Sequence, residues 1–306
     1  VPVQWYPGHM AKARRMMEER VRQVDVVIEL VDARLPLSSR NPVLQELSAK
    51  KPRLVVMTRE DLADPLITRS WLDAFASDNM MAVSVNTTNG NGFSQVRDGL
   101  RKLAAAKIQR ALEKGLQRAV VRAMVVGIPN VGKSSFINQF AKRSVAKTGN
   151  KPGVTRTEQW VRMGDIELLD TPGVLWPKID TAEQGLRLAI SGAVKDQIYD
   201  MEEGLAFFLC FAGQHYPDLL QKRYGLSHVP AVRWTDLPTV WPQIADVVEE
   251  IGRKRGLLGR GGVVDEERVA KMVIKEVQDG VLGPMTFEWP ASHLSETSSD
   301  PGNNLS

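Results

Sequence analysis

The chain has 306 residues, 43% hydrophobic and 25% charged, with a net charge of +4, an ordinary globular balance that fits one large or two ordinary domains. Its single cysteine, Cys210 in "LAFFLCFAG", excludes an internal disulfide and a cysteine-rich metal site and reads as a buried small hydrophobe. No apolar run reaches the roughly 18 residues of a membrane helix, and the first residues lack the apolar centre of a secretory signal, so a soluble protein of a reducing compartment is expected: the cytoplasm, or an organelle matrix if a leader before Val1 has been removed.

In chain order, "QWYPGHMAKARRMMEERVRQV" (Gln4–Val24) carries Met10, Ala13, Met17, Val21 and Val24 as one apolar stripe at helical spacing. The helix it predicts docks on a domain, with "WYPGH" at its N-terminal end. Three continuous β-branched runs follow, Val24–Asp32, Pro52–Thr58 and Met81–Asn86, and a fourth, Ala119–Gly127, leads into a glycine-rich turn. Separated by helix-length segments, they read as buried strands of a mostly parallel sheet. "EQWVRMGD" and "IELLDTPG" add a hairpin. Beyond Pro177 the apolar residues fall at helical spacing; near the end, Val269, Met272, Val273 and Val277 share a face, with Gly280 as a stop. The expected organisation is an α/β domain over residues 1–178, an all-α domain over 179–290 and a disordered polar tail over 291–306.

"GIPNVGKSS" (Gly127–Ser135) satisfies G-x-x-x-x-G-K-[ST] between a strand and a helix. Backbone N–H groups from Asn130, Val131, Gly132, Lys133, Ser134 and Ser135 converge on phosphates, Lys133 reaches the outer ones, and the Ser134 hydroxyl suits magnesium. "LLDTPG" sets Asp170 at a strand end, where its carboxylate holds magnesium through water, and offers the Gly173 N–H to the terminal phosphate. Thr155, in the polar loop between, is the candidate second hydroxyl on magnesium; an ordinary loop threonine is the alternative.

Guanine differs from adenine by a pair of N–H donors that a carboxylate can accept. "VVMTRED" presents Thr58, Arg59, Glu60 and Asp61 after a strand, in the place of the N/T-K-x-D of GTPases: Asp61 reads the base and the Arg59 stem covers its face. Threonine for asparagine and arginine for lysine imply weaker anchoring rather than lost specificity. In "NTTNGNG", Asn86 and Thr87 stand at the serine-alanine pair of the last base motif, with the Thr87 N–H offered to guanine O6.

The base motifs precede the phosphate loop, the reverse of the usual GTPase order, so the elements are cyclically permuted. "WYPGHMAKA", "VDARLPLSSRNP", "GIPNVGKSS", "KPGVTR" and "LLDTPGVLWPK", in this order before a helical domain, resemble the ribosome biogenesis GTPase A (RbgA/YlqF) family over nearly the whole chain to about Pro290. The resemblance implies a circularly permuted P-loop GTPase domain with an all-α C-terminal domain, GTP hydrolysis, and a role in assembly of the large ribosomal subunit.

After D-x-x-G, the position that usually holds a water-orienting glutamine is Val174. Permutation brings the opening segment in from that side. His9 is the candidate replacement, and the resemblance supports it, since the histidine of the P-G-H-M motif has been proposed for this role; capping the helix start is its other reading. The similarity to GTPases whose phosphate loops read P-N-V-G-K-S implies Asn130 as a ligand to a potassium ion in place of an arginine finger; an asparagine that simply suits the turn is the other reading. The basic connector Arg97–Arg122 and "AKRSVAKTGNKPGVTR" suit ribosomal RNA phosphates or are solvated helix faces. A protein monomeric off the ribosome is expected. Two rivals remain open: a P-loop ATPase or kinase, and a nucleotide-sensing RNA-binding scaffold.

Overall fold

The computed structural model describes residues 7–117, 119–148, 156–157, 160–171, 179–194 and 199–291, with side chains left out of account at 7–13, 143–148 and 156–157. The chain divides into two units, one made of residues 4–177 with those from 288 onward, the other of residues 178–287. The last residues before Pro290 therefore belong with the first unit, where the sequence reading had assigned them to the helical part.

The first unit is built on a seven-stranded sheet: β1 (Val26–Asp32), β2 (Arg53–Thr58), β3 (Met80–Ser84), β4 (Val121–Gly127), β5 (Arg156–Thr157), β6 (Trp160–Met163) and β7 (Ile166–Asp170), in the spatial order β3-β2-β1-β4-β7-β6-β5. The first four strands and β7 run parallel, and β6 and β5 are antiparallel. The continuous apolar runs of β1, β2 and β4 are covered on both faces, whereas β3, at the sheet edge, is half-buried throughout. β5 escaped the sequence reading, being a two-residue pairing inside a polar loop.

One sheet face carries α1 (Pro7–Gln23), α2 (Pro42–Leu47) and α3 (Pro65–Phe75). Met17, Val21 and Val24 pack with Val27, Leu44, Met124, Val126 and Leu169, so the expected stripe is a docking face; Met10 and Ala13 lie outside the described side chains. Val31, Val55 and Met57 on the same face meet Ile67, Trp71 and Phe75. The other face carries α4 (Phe93–Leu103) and α6 (Lys133–Thr148), joined through Phe93, Phe136 and Phe140, with rings stacked at 5.3 Å and 5.8 Å. The basic connector is two helices rather than one: α4 ends at Ala104 and α5 (Ala105–Glu113) begins there, with no buried residue of its own.

The chain returns to this unit at its far end. The Glu288 carboxylate, 6% exposed, accepts from the N–H groups of Leu37 (2.7 Å) and Ser38 (3.0 Å) and from the Ser38 hydroxyl. Trp71 Nε1 donates to the Glu288 carbonyl at 2.9 Å.

The helical unit comprises α7 (Ala182–Ile190), α8 (Met201–His215), α9 (Pro217–Tyr224), α10 (Leu237–Lys254) and α11 (Glu266–Gln278). α8 is buried from Gly204 to Gly213, as expected of a helix that is apolar all round. Cys210 within it is fully buried, and burial pushes its thiol up to about 11. Val269, Val273 and Val277 face the core while Met272 is only half-buried, and Ala270 and Ile274 complete the buried face. No helix among the described residues is long and apolar enough to cross a membrane. Of the expected tail, residues 292–306 lie outside those described.

Candidate nucleotide site

Parallel pairing brings the carboxyl ends of five strands to one edge. Asp32 pairs with Thr58, Met57 with Ser84, Leu30 with Gly127 and Val125 with Asp170. Every strand-borne motif named from sequence therefore opens on the same rim, where parallel α/β sheets bind ligands.

The phosphate loop turns from β4 into α6. A Cβ on Gly127 would stand 2.8 Å from Val131 Cγ1 and 3.1 Å from the Leu30 carbonyl, so only glycine fits there. Asn130 (φ 59°) and Gly132 (φ 93°) take left-handed conformations, and the Phe136 N–H bonds the Gly132 carbonyl at 2.8 Å as the helix begins. Successive N–H groups of such a loop face one concavity. Lys133 Nζ lies 3.0 Å from Asp170 Oδ1; the lysine side chain is 15% exposed and the aspartate 51%. A phosphate chain entering here competes with Asp170 for the ammonium. Ser134 and Ser135 are exposed at the first turn of α6. Next to Asp170, the buried Thr171 hydroxyl donates to the Val125 carbonyl at 2.6 Å; sequence reading passed over it.

The Ser134 hydroxyl, in the first turn of α6, and the Asp170 carboxylate, at the end of β7, are hard oxygen donors, a set that fits a small cation such as magnesium. Among the described residues no cluster of three or more histidine, cysteine or acidic groups forms a metal cage.

At the base motif, Thr58 is fully buried, and its one hydroxyl proton is shared between the carbonyls of Val131 (2.7 Å) and Val31 (3.1 Å). Arg59 Nη2 donates to the Asn130 carbonyl at 2.9 Å, and Nη1 stands 3.3 Å from Asp32 Oδ2. The Arg59 head is thus engaged with the phosphate loop, beyond the stem-over-base role read from sequence. Asp32, which the sequence reading did not single out, is 4% exposed and accepts from Arg34 Nη2 at 2.8 Å and from Arg34 Nε at 3.0 Å. Burial pushes its carboxyl up, but the guanidinium groups of Arg34 and Arg59 outweigh burial and hold it below the usual range. Its signal in the sequence was an aspartate ending the strand next to the base motif.

Glu60 and Asp61 lie in a short 3-10 turn after β2, with Asp61 exposed. The Glu60 N–H meets the Val85 carbonyl at 3.4 Å and so ties this turn to the β3 end. Asn86 is buried, and its Oδ1 accepts from the N–H groups of Thr88 (2.8 Å) and Asn89 (3.1 Å), shaping its own loop. Among the described residues the Thr87 N–H has no acceptor.

His9 is in the first turn of α1, but its side chain lies outside those described, as do Thr155, Gly173 and Val174 altogether. Much of the basic connector is engaged locally: Arg101 with Asp165, Lys107 with Asp25 and Arg122 with Glu167, at 2.9, 2.7 and 3.0 Å. Lys102, Arg110 and Lys114 carry no ion pair among the described residues.

A family model described as a 50S ribosome-binding GTPase matches residues 122–205. Over 289 residues the chain is 45% identical to ribosome biogenesis GTPase A of Bacillus cereus, covering 94% of each. It is 32% identical over 299 residues to mitochondrial ribosome-associated GTPase 1 of Bos taurus, covering 93% of this chain and 88% of that one. The crystal structure of GNP-bound YlqF from T. maritima shares the fold with a TM-score of 0.58 at 23% identity, over 92% of this chain and 99% of that one.

Proposed function

The chain belongs to the ribosome biogenesis GTPase A family, and from that premise we propose that it binds GTP, hydrolyses it to GDP and phosphate, and acts as an assembly factor in late maturation of the large ribosomal subunit. The observation that carries the reading is the convergence on one sheet edge of the phosphate loop, the Lys133–Asp170 pair and a base motif bonded to that loop.

In this account the loop N–H groups and Lys133 bind the phosphates, Asp61 accepts from the guanine edge, and the Thr87 N–H meets guanine O6. Ser134, Thr155 and, through water, the Asp170 carboxylate would hold magnesium, which would neutralise charge on the phosphate oxygens. Asn130 is the candidate potassium ligand. His9 orients the attacking water in place of the glutamine that Val174 cannot mimic, so turnover is slow until a ribosomal subunit orders the site. The N–H of Gly173 follows the terminal phosphate, and the chain from there runs directly into the helical unit. That connectivity is a physical route from nucleotide state to grip on the subunit. The GTP form holds the precursor, through ribosomal RNA phosphates at cations such as Lys102, Arg110 and Lys114, and hydrolysis releases it. The protein works as a monomer off the ribosome, in the cytoplasm.

Co-sedimentation with isolated large-subunit precursors tests this coupling. The form carrying a non-hydrolysable GTP analogue pellets with the precursor and the GDP form stays in the supernatant; equal pelleting of both contradicts it.

A further inference from the structure

The loop after β3 carries two asparagine-glycine pairs in succession, Asn89-Gly90 and Asn91-Gly92. Such a pair is chemically labile, because a glycine has no Cβ to keep its main-chain nitrogen from the carboxamide carbon of the asparagine before it. Attack needs a glycine nitrogen that can give up its proton and an asparagine side chain free to turn towards it.

The two pairs differ in both respects. The Gly90 N–H donates to the Asn86 carbonyl at 2.8 Å, and Asn89 Oδ1 accepts from the Asn91 N–H at 2.9 Å. Nucleophile and target of the first pair are therefore both engaged in holding the loop. In the second pair, among the described residues, the Gly92 N–H has no acceptor and the Asn91 side chain makes no hydrogen bond. Asn91 is also exposed. Its main chain alone is fixed, the carbonyl accepting from the Asn86 N–H at 3.2 Å.

We propose that Asn91 is a site of spontaneous deamidation in the folded protein, with Asn89 protected. The Gly92 nitrogen bonds to Asn91 Cγ, the Cγ–Nδ2 bond breaks, and ammonia leaves with the Gly92 amide proton. Water then opens the cyclic imide. Opening at Cγ gives aspartate; opening at the main-chain carbonyl gives isoaspartate, whose backbone runs through the side chain and is one atom longer.

The loop has no slack for that atom. Gly92 has φ 82°, a Cβ on it would stand 2.0 Å from the Ser84 carbonyl oxygen, and its own carbonyl accepts from the Val96 N–H at 3.1 Å as α4 begins. Isoaspartate at position 91 displaces the carbonyl that holds Asn86, and with it the Asn86-Thr87 segment assigned to the base. The chemistry depends on this loop alone; its effect on nucleotide binding rests on the guanine-nucleotide reading above.

The test ages the full chain at mildly alkaline pH and sequences the tryptic peptide of residues 70–97, which holds both pairs, by mass spectrometry. Folded, the chain converts Asn91 and keeps Asn89; unfolded in urea, it converts both; and Asn91→Gln keeps its amide. Conversion of Asn89 ahead of Asn91 in the folded chain, or of neither where the unfolded chain converts both, overturns the proposal. The aged chain is then passed over immobilised GDP. Isoaspartate at position 91 is expected in the unretained fraction only, while Asn91→Asp, which adds the charge without the extra backbone atom, is retained like the wild type. Equal isoaspartate in both fractions, or loss of retention by Asn91→Asp, overturns the backbone account of its effect. A fresh wild-type chain that is not retained refutes the nucleotide reading and leaves the deamidation result standing.

Discussion

The Thr58 hydroxyl donates to the Val131 carbonyl at 2.7 Å, joining the base motif to the phosphate loop where GTPases usually carry an asparagine. Losing a buried donor costs about 1–3 kcal/mol. Thr58→Val, which keeps the shape, is therefore expected to weaken GDP about tenfold while leaving the preference for GDP over ADP intact. Asp61→Ala does the opposite and collapses that preference by about 100-fold or more, because discrimination resides in the carboxylate facing the base. Calorimetric titration of both nucleotides into both variants separates the two roles, and a common loss in both would merge them.

Lys133 and Asp170 share one contact and are assigned opposite tasks. Lys133→Ala is expected to abolish measurable GDP binding at micromolar protein, since the outer phosphates lose their only loop cation. Asp170→Asn retains binding but removes its dependence on magnesium, where the wild type loses about tenfold on chelation. Titration with and without a chelator checks this; an Asp170→Asn chain that still responds to magnesium removes Asp170 from the cation's environment.

His9 and Asn130 are assigned to turnover rather than affinity. His9→Ala is expected to lower subunit-stimulated hydrolysis by about 100-fold with GDP affinity unchanged. Replacing potassium by sodium chloride at equal ionic strength slows the wild type, and Asn130→Ala removes that difference. A parallel fall in affinity would mean that His9 holds the helix start instead, and equal rates in the two salts would leave Asn130 to the turn alone.

The C-terminal return at Glu288 makes a stability prediction. Glu288→Ala leaves the Leu37 and Ser38 N–H groups without their carboxylate, a loss of about 2–4 kcal/mol that lowers the melting temperature of the chain by about 4–8 °C. Glu288→Gln loses less, because an amide oxygen still accepts. Differential scanning calorimetry distinguishes these outcomes from a return segment that merely lies on the surface.

The legible parts of this protein are those where the information is local. Gly127–Ser135 reads as a phosphate loop because the turn, the lysine and the helix start adjoin one another, and Asp170 reads as a strand end because "IELLD" precedes it. The permutation is legible because motif order needs no coordinates. What escaped lies between distant residues or in weak local signals. Arg59 and Asn130 are 71 positions apart, and Glu288 and Ser38 are 250 apart. Asn86 was assigned to the base site from spacing, but spacing does not show that its side chain is occupied with its own loop. The α4–α5 break at Ala104 carries neither glycine nor proline.

A guanine-specific hydrolase in this family position should have a turnover that answers to the large ribosomal subunit. The most direct measurement is phosphate release by the purified chain, from GTP and from ATP, with and without isolated large subunits. Slow GTP hydrolysis alone, a rise of at least about tenfold with subunits, and no comparable turnover of ATP are expected. GTP turnover that ignores the subunits, or ATP turnover that matches it, would contradict the account.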